Sequence, residues 1–560
     1  MISSDAPADV VVVGSGFGGS VMAYRLASAG LGVCLLERGQ AYPPGSFPRS
    51  PKGMLENVWV PSRGRYGLFD LWSFRHMDAL VSSGLGGGSL IYANVLLRKD
   101  ERWFVKEDLQ HGGREYWPIS RADLDPHYDR VEAMLQPQPY PVGVAPYNET
   151  PKTRAFHDAA KEIGLTPFLP PLAVSFAGAD GVPRPRVPVA EAAPNLHGQT
   201  RLTCRLCGEC DIGCNEGSKN TLDLTYLSAA QRAGADLRTG CEVTGIQPTD
   251  SRGYTVQYTR HPSGSGHSIN AQRVVLAAGA LGSTRLLLRS RPQLPRMSSM
   301  LGTRFCGNGD LLTFLRDCTT IRDGKRVSRA IDPTFGPVIT SALRIGDELD
   351  DEGWWEAEGE GEGGEGRGFY LEDGGFPDHF AWLMQALGTP DLLRRVAGDL
   401  FRARQRDSGP APMGGEVLRL LDEADRTAAV LPLLAMGRDL PEGRLYLDQG
   451  ELEMDLRHEA AGRYFNRIRQ TGRRMARALG GTLADNPEWY LGRVITVHPL
   501  GGCPMGRDER EGVVDSYGQV FNYPGLFVAD GAVMPGPVGA NPSLTIAALA
   551  DRFADGLLGS

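Results

Sequence analysis

Apolar residues in this chain gather into short runs that break on glycine, and the earliest run already implies an architecture. Val11, Val12 and Val13 are consecutive and β-branched, the pattern of a strand buried on both faces of a parallel sheet. They lead directly into Gly14-Ser15-Gly16-Phe17-Gly18-Gly19, after which Ala23, Leu26 and Ala27 recur at helical spacing. A second apolar run, 33–36, ends at Glu37 and Arg38. Strand, glycine turn, helix and strand in that order predict a βαβ unit of a doubly wound α/β sheet. Farther along, the spacing predicts helices over 123–135 and 153–163 and a meander of strands over 242–246, 254–258 and 273–276. Residues 274–280 repeat the passage from buried strand to glycine turn, so this segment is expected to rejoin the first sheet. Residues 527–529 form one more short strand, ending in Asp530-Gly531, and Asn541 precedes Pro542 and an apolar helical run.

The first turn carries chemistry. Gly14 permits the tight bend, Gly16 lets a pyrophosphate approach the backbone, and Gly19 brings helix against strand. The helix start then faces the phosphates with unpaired N–H groups. Glu37 lies about twenty residues on, where a carboxylate accepts from ribose hydroxyls. Together they predict a bound dinucleotide. A second glycine run, Gly84-Leu85-Gly86-Gly87-Gly88-Ser89, either lets backbone pass close to a flat or charged group or is a plain flexible loop.

Composition narrows the class. A length of 560 residues implies two or more domains. The formal charge of −8 speaks against a general nucleic-acid binder. No apolar run reaches the roughly 20 residues of a transmembrane helix, and residues 1–9 do not resemble a secretory signal, so a cytoplasmic location with reduced cysteines is expected. The acidic, glycine-rich stretch 350–368 is expected to be a mobile loop. Residues 391–404 predict an amphipathic helix packed on the core with its arginines in solvent.

Four of the nine cysteines, Cys204, Cys207, Cys210 and Cys214, have the spacing C-x2-C-x2-C-x3-C. This is the run that holds iron–sulfur clusters in ferredoxins, without the proline that follows it there. An iron–sulfur cluster (3Fe–4S or 4Fe–4S), a zinc site or disulfide-linked loop, and a set of reduced structural thiols all remain open.

His498 stands before Pro499 and two glycines, in a stiff backbone setting that, like the one around Asn541, suits a fixed polar group. VVVGSGFGGS, GLGGGSLIYANV, VVLAAGALGSTRLL, HPLGGC and ADGAVMPGPVGANPSLTIAALA together resemble the glucose–methanol–choline (GMC) flavin oxidoreductases, and within them the bacterial cholesterol oxidase-like subgroup. The resemblance implies noncovalent FAD and an α/β fold: a Rossmann-like FAD-binding domain with an interleaved α+β substrate domain. The first would comprise 1–120, 200–305 and 490–560, and the second 121–199 and 306–489. Cofactor contacts would come from Gly14, Ser15, Gly16, Gly18, Gly19, Glu37, Arg38, Gly87, Gly88, Ser89, Asn94, Val243, Ala278, Asp530, Gly531 and Pro542. His498 and Asn541 would hold the paired catalytic positions, His498 as base and Asn541 as polar partner.

The implied reaction is oxidation of an apolar alcohol, steroid-like or long-chain, with dioxygen or an acceptor protein taking the electrons. Trp382, Leu383, Met384 and Leu387 are expected on the cavity wall. A redox-neutral lyase or decarboxylase and a flavin/iron–sulfur electron-transfer subunit are the rival readings. Steroid oxidases that also move the double bond carry an active-site glutamate. Alignment around Leu440-Pro441-Glu442-Gly443 puts that position near Thr427, beside Asp425 and Arg426 and out of register with Glu423, so isomerisation is not expected.

Overall fold

Val10, Val11 and Val12 are fully buried, as an apolar run enclosed on both faces of a sheet must be. The structure, a computed structural model, describes residues 3–108, 113–250, 253–350, 366–377, 430–456 and 462–559. Strands β1 (Ala8–Val13) and β2 (Val33–Leu36) flank helix α1 (Phe17–Ser28). With β3 (Asp236–Arg238), β4 (Cys241–Thr249), β5 (Gly253–Arg260) and β6 (Ser265–Leu276) they form most of an eight-stranded sheet, in the order β3-β2-β1-β6-β5-β4. Parallel register sets Val11 opposite Cys34 on one side and Val274 on the other. Leu526–Val528 adds to β6, also in parallel, with Leu526 opposite Val274. Segments far apart in sequence therefore end side by side at one edge of the sheet, the place where open α/β sheets bind ligands.

Helix α2 (Arg121–Leu135) starts in a capping box between Ser120 and Asp123. Its buried face, Leu124, Tyr128, Val131 and Leu135, joins the core of the first sheet rather than that of the substrate block to which residues 121–199 were expected to belong. The reason is apolar complementarity with the C-terminal helix, Ser543–Leu558: the two pack together, and Tyr128 Oη meets Thr545 Oγ1 at 2.9 Å. Helix α3 (Pro151–Glu162) lies on the other core, and α4 (Gly279–Ser290) follows β6.

A second, five-stranded sheet contains β7 (Leu311–Arg316), β8 (Ala342–Ile345), β9 (Phe369–Asp373), β10 (Leu431–Gly437) and β11 (Thr482–Asp485), ordered β8-β9-β10-β7-β11 and antiparallel throughout. Helix α5 (Gly462–Ala478) covers it with Tyr464, Phe465, Ile468 and Met475. The last helix is named α6 (Ser543–Leu558). Most of the acidic stretch 350–368, all of 391–404, the four expected wall residues (Trp382, Leu383, Met384, Leu387) and Glu423, Asp425, Arg426 and Thr427 lie outside the described residues. No described helix is long and apolar enough to cross a membrane.

Candidate active site

The first glycine turn is pressed hard against the strand ends. A Cβ on Gly18 would lie 1.5 Å from the carbonyl oxygen of Ala529, and Gly14 and Gly19 are similarly enclosed by backbone. Gly16 is the exception: a Cβ there meets nothing within 4 Å, and the same holds for Gly88. Gly87 closes the cradle from above, its own Cβ position 2.6 Å from Gly16 Cα. The packed glycines thus build a floor, while Gly16 and Gly88 leave it open to a group the chain does not fill. Asn94 adds a second sign. It is fully buried, and neither its side-chain nitrogen nor its oxygen has a partner among the described residues, a costly condition unless a ligand supplies one. These residues fit a dinucleotide.

Glu37 is buried at the end of β2 and already occupied. Its Oε2 accepts from Ser15 N at 3.0 Å and Ser15 Oγ at 2.6 Å, and Oε1 accepts from Gly39 N at 2.8 Å. It braces the turn, and the lone pairs left over can serve a ribose. Arg38 points elsewhere: it pairs with Asp70 at 2.5 Å and stacks over Trp59 at 4.9 Å, so the structure does not bring it to the cradle. Ser89 is likewise used internally, donating to Gly86 O and accepting from Leu222 N. Asp530 accepts from Gly279 N at 2.9 Å, Ser283 Oγ at 2.5 Å and Ala532 N at 2.8 Å, tying 526–531 to the start of α4, and burial pushes its carboxyl up to about 6. Ala278 sits at the N-terminus of α4, Val243 is half-buried at the irregularity in β4, and Pro542 occupies the N-cap of α6. Gly531 O accepts from Gly501 N at 2.9 Å, fastening the histidine loop to the first sheet.

That loop holds His498 by its inner nitrogen. Nδ1 lies 2.8 Å from Asp310 Oδ1, while Asp310 Oδ2 accepts from Thr496 Oγ1 and Val497 N, both at 2.9 Å. A carboxylate oxygen accepts, so in the neutral imidazole Nδ1 is the donor to Asp310 and Nε2 is the nitrogen with the lone pair. Asn541 Nδ2 lies 3.3 Å from Glu372 Oε2. Glu372 is fully buried in β9, and burial, first, together with the nearby charges of Asp373 and Asp310 pushes its carboxyl up to about 8. Glu372 Oε1 and Asn541 Oδ1 have no partner among the described residues. The Glu372 carboxyl senses the charge of Asp310, so the His498–Asp310 and Asn541–Glu372 pairs lie within electrostatic reach of each other.

Asp310 and Glu372 escaped the sequence reading. The position expected for a glutamate, near Thr427, lies outside the described residues, and the carboxyl beside Asn541 belongs to residue 372. Two signals were present: an aspartate behind Gly309 and ahead of an apolar strand, and adjacent acids closing the apolar run Phe369-Tyr370-Leu371.

Ionising Glu372 inside the fold costs on the order of 5 kcal/mol. Its proton stays bound up to about pH 8 in the fold and only to its ordinary 4.5 in the unfolded chain. The folded state therefore holds the extra proton in this window, and its stability falls as pH rises through it. Glu372→Gln removes that loss. Melting curves are expected to show the variant's Tm advantage growing from pH 5 to pH 8.5; a constant difference would contradict the assignment.

The four cysteines of the run are not gathered around a single-ion site. All nine cysteines are free thiols, and no three of the four sulfurs lie within 4.8 Å of one another, which excludes a preformed single-ion site such as zinc and leaves no disulfide. Cys204 packs in a cluster with Tyr140, Tyr147 and Phe176, Cys210 O accepts from Lys219 Nζ at 2.8 Å, and Cys214 Sγ accepts from Ser218 N at 3.3 Å. Burial pushes the thiols of Cys204, Cys207 and Cys210 upward, whereas metals take the thiolate. The iron–sulfur expectation gains no support here. The one clustered set of possible ligands among the described residues, His127, Asp551 and Asp555, is neutralised by arginine: Arg130 reaches Asp551 at 2.6 Å and Asp555 at 2.9 Å.

Two GMC oxidoreductase models match residues 189–295 and 454–550, and a Rossmann-like NAD(P)-binding model matches 12–45. A cholesterol oxidase of Mycobacterium tuberculosis (strain H37Rv) is 30% identical over 98% of this chain and 90% of its own length. The chain belongs to the GMC oxidoreductase family. As a GMC enzyme it is FAD-dependent and acts on CH–OH groups. A 2-methyl-1,2-propanediol dehydrogenase of Mycolicibacterium austroafricanum is 25% identical over 99% of this chain and 96% of its own. The solved structure of Aspergillus oryzae formate oxidase (R554A) matches with TM-score 0.60 and 14% identity, over 100% of this chain and 98% of the other, and speaks for the fold. The mixed architecture, a Rossmann-like FAD sheet with an antiparallel second sheet, is the GMC fold expected from the sequence.

Proposed function

We propose that this GMC enzyme oxidises an apolar alcohol, sterol or long-chain, with His498 as the base and Asn541 as the group that holds the substrate oxygen. The observation that carries the reading is the His498–Asp310 pair, which leaves Nε2 as a free acceptor at the strand-end site. FAD, when bound, supplies the hydride acceptor; the cradle of Gly16, Gly88 and Glu37 would hold its phosphates and ribose. Nε2 takes the hydroxyl proton, and Asp310 at Nδ1 stabilises the imidazolium that results. Asn541 donates to the substrate oxygen without titrating. The division into 1–120, 200–305 and 490–560 against 121–199 and 306–489 follows the same logic, each block supplying one wall, except that α2 packs on the cofactor side.

Glu372 supports a second activity on β,γ-unsaturated ketone products. Ionised, it would take a proton from the carbon between the carbonyl and the double bond. It would then return that proton to the far carbon, leaving the conjugated ketone and a regenerated carboxylate. Glu372→Gln should then release the unconjugated ketone from cholesterol.

Cholesterol, 1-dodecanol and glycerol, compared under air and with a dye acceptor, test the main reading. Each buried methylene contributes about 0.8 kcal/mol, so kcat/KM for the apolar alcohols should exceed that for glycerol by at least about a hundredfold. The same sample should contain flavin without matching iron or acid-labile sulfide. Preference for glycerol would overturn the substrate class, and stoichiometric iron and sulfide would restore the cluster at Cys204 to Cys214.

A further inference from the structure

The two reacting side chains come from different loops, and one short segment outside both, Asn308 to Asp310, touches each. Asn308 is fully buried. Its Oδ1 accepts from Gly539 N at 2.8 Å, and its Nδ2 donates to Ala540 O at 3.0 Å. The amide thereby pairs with the backbone on the N-terminal side of Asn541, as a neighbouring strand would. Two residues on, Asp310 grips His498. Asn308 and Gly309 both have left-handed backbone, φ 55° and 70°. This corner turns the chain so that the amide of 308 faces one loop and the carboxylate of 310 faces the other, a conformation that asparagine and glycine tolerate best. Its surroundings fix it: Gly437 N donates to Asn308 O at 2.9 Å, Tyr464 Oη to Gly309 O at 3.0 Å, and Cys306 and Leu500 exchange two backbone hydrogen bonds at 2.9 and 3.0 Å.

We propose that Asn308 is a positioning residue that sets the separation of His498 and Asn541 by clamping the 539–541 backbone to the segment that carries Asp310. The inference rests on the reading of His498 and Asn541 as the reacting pair. A neutral amide with both ends used adds no charge to the site, so its effect on the reaction passes through geometry. Displacement of a reacting group by about 1 Å costs about a hundredfold in rate.

Asn308→Gly tests this, because glycine keeps the left-handed backbone and removes only the amide. With the alcohol oxidised fastest in the comparison above, kcat is expected to fall by roughly ten- to a hundredfold, with KM within about twofold and flavin content unchanged. Deuteration of the carbinol carbon should give an isotope effect at least as large as in the parent. Combined with Asn541→Ala, the glycine variant should cost little further, since the clamp then has nothing to position. Unchanged kcat, or a full additional loss in the Asn541→Ala background, overturns the proposal. Should Asn308→Gly lose flavin, Asn308→Asp, which keeps the acceptor for Gly539 N, carries the same cycle. Failure of the base reading shows separately, as retained activity in His498→Ala with the Asn308–Asn541 coupling intact.

Discussion

His498→Ala is expected to slow alcohol oxidation by about two to four orders of magnitude while FAD stays bound. The side chain is only partly buried and stabilises no core, so its removal should leave the fold alone. What disappears is the acceptor for the hydroxyl proton, and without it hydride would have to leave an unactivated alcohol. Rapid mixing of enzyme and alcohol without oxygen, following the flavin absorbance, isolates this step. Asp310→Asn should give a smaller loss of the same kind. An amide at 310 no longer stabilises the imidazolium, and the ring is free to present the wrong nitrogen. If flavin reduction in His498→Ala kept the parent rate, the proton would have to go elsewhere, and the base assignment would fail.

The second large effect separates two glycines that sit two residues apart. Gly18→Ala should abolish soluble, flavin-loaded protein, because the new methyl would have to share space with the Ala529 carbonyl, 1.5 Å away. Both partners are backbone in buried elements, so no side chain can swing aside; α1 would have to leave the sheet. Gly16→Ala meets no protein atom, and Gly16 already has φ −69°, which alanine adopts without strain. Its methyl would instead enter the space kept for the pyrophosphate. Apoprotein of normal Tm with strongly weakened FAD binding is the expected outcome, read by melting curves with and without added FAD. Equal damage from both variants would mean that the open side of the turn is not the cofactor side.

Much of this was legible in the chain because local pattern and global role coincide there. The run 10–13 must be buried, the turn that follows must be glycine, and HPLGGC and the Gly539–Pro542 loop mark rigid backbone beside polar groups. The meander at 242–276 was found but drawn too short: its strands extend to 241–249, 253–260 and 265–276 as the antiparallel ladder continues through polar residues that alternate outward. The cysteine spacing states only which thiols can converge; in the fold no three of the four sulfurs lie within 4.8 Å of one another.

The sequence alone determined the nucleotide-binding unit, the family and the two polar residues on glycine-flanked loops, all of which rest on contacts within a few residues or on steric demands at single positions. Only the tertiary structure decided that Asp310 pairs with His498, that Glu372 faces Asn541, and that Asn308 pairs with the backbone ahead of Asn541. These partners lie 188, 169 and 231 residues apart along the chain. No local periodicity encodes such pairings. They arise when an antiparallel sheet and a parallel one are packed together and every buried polar group must find a partner.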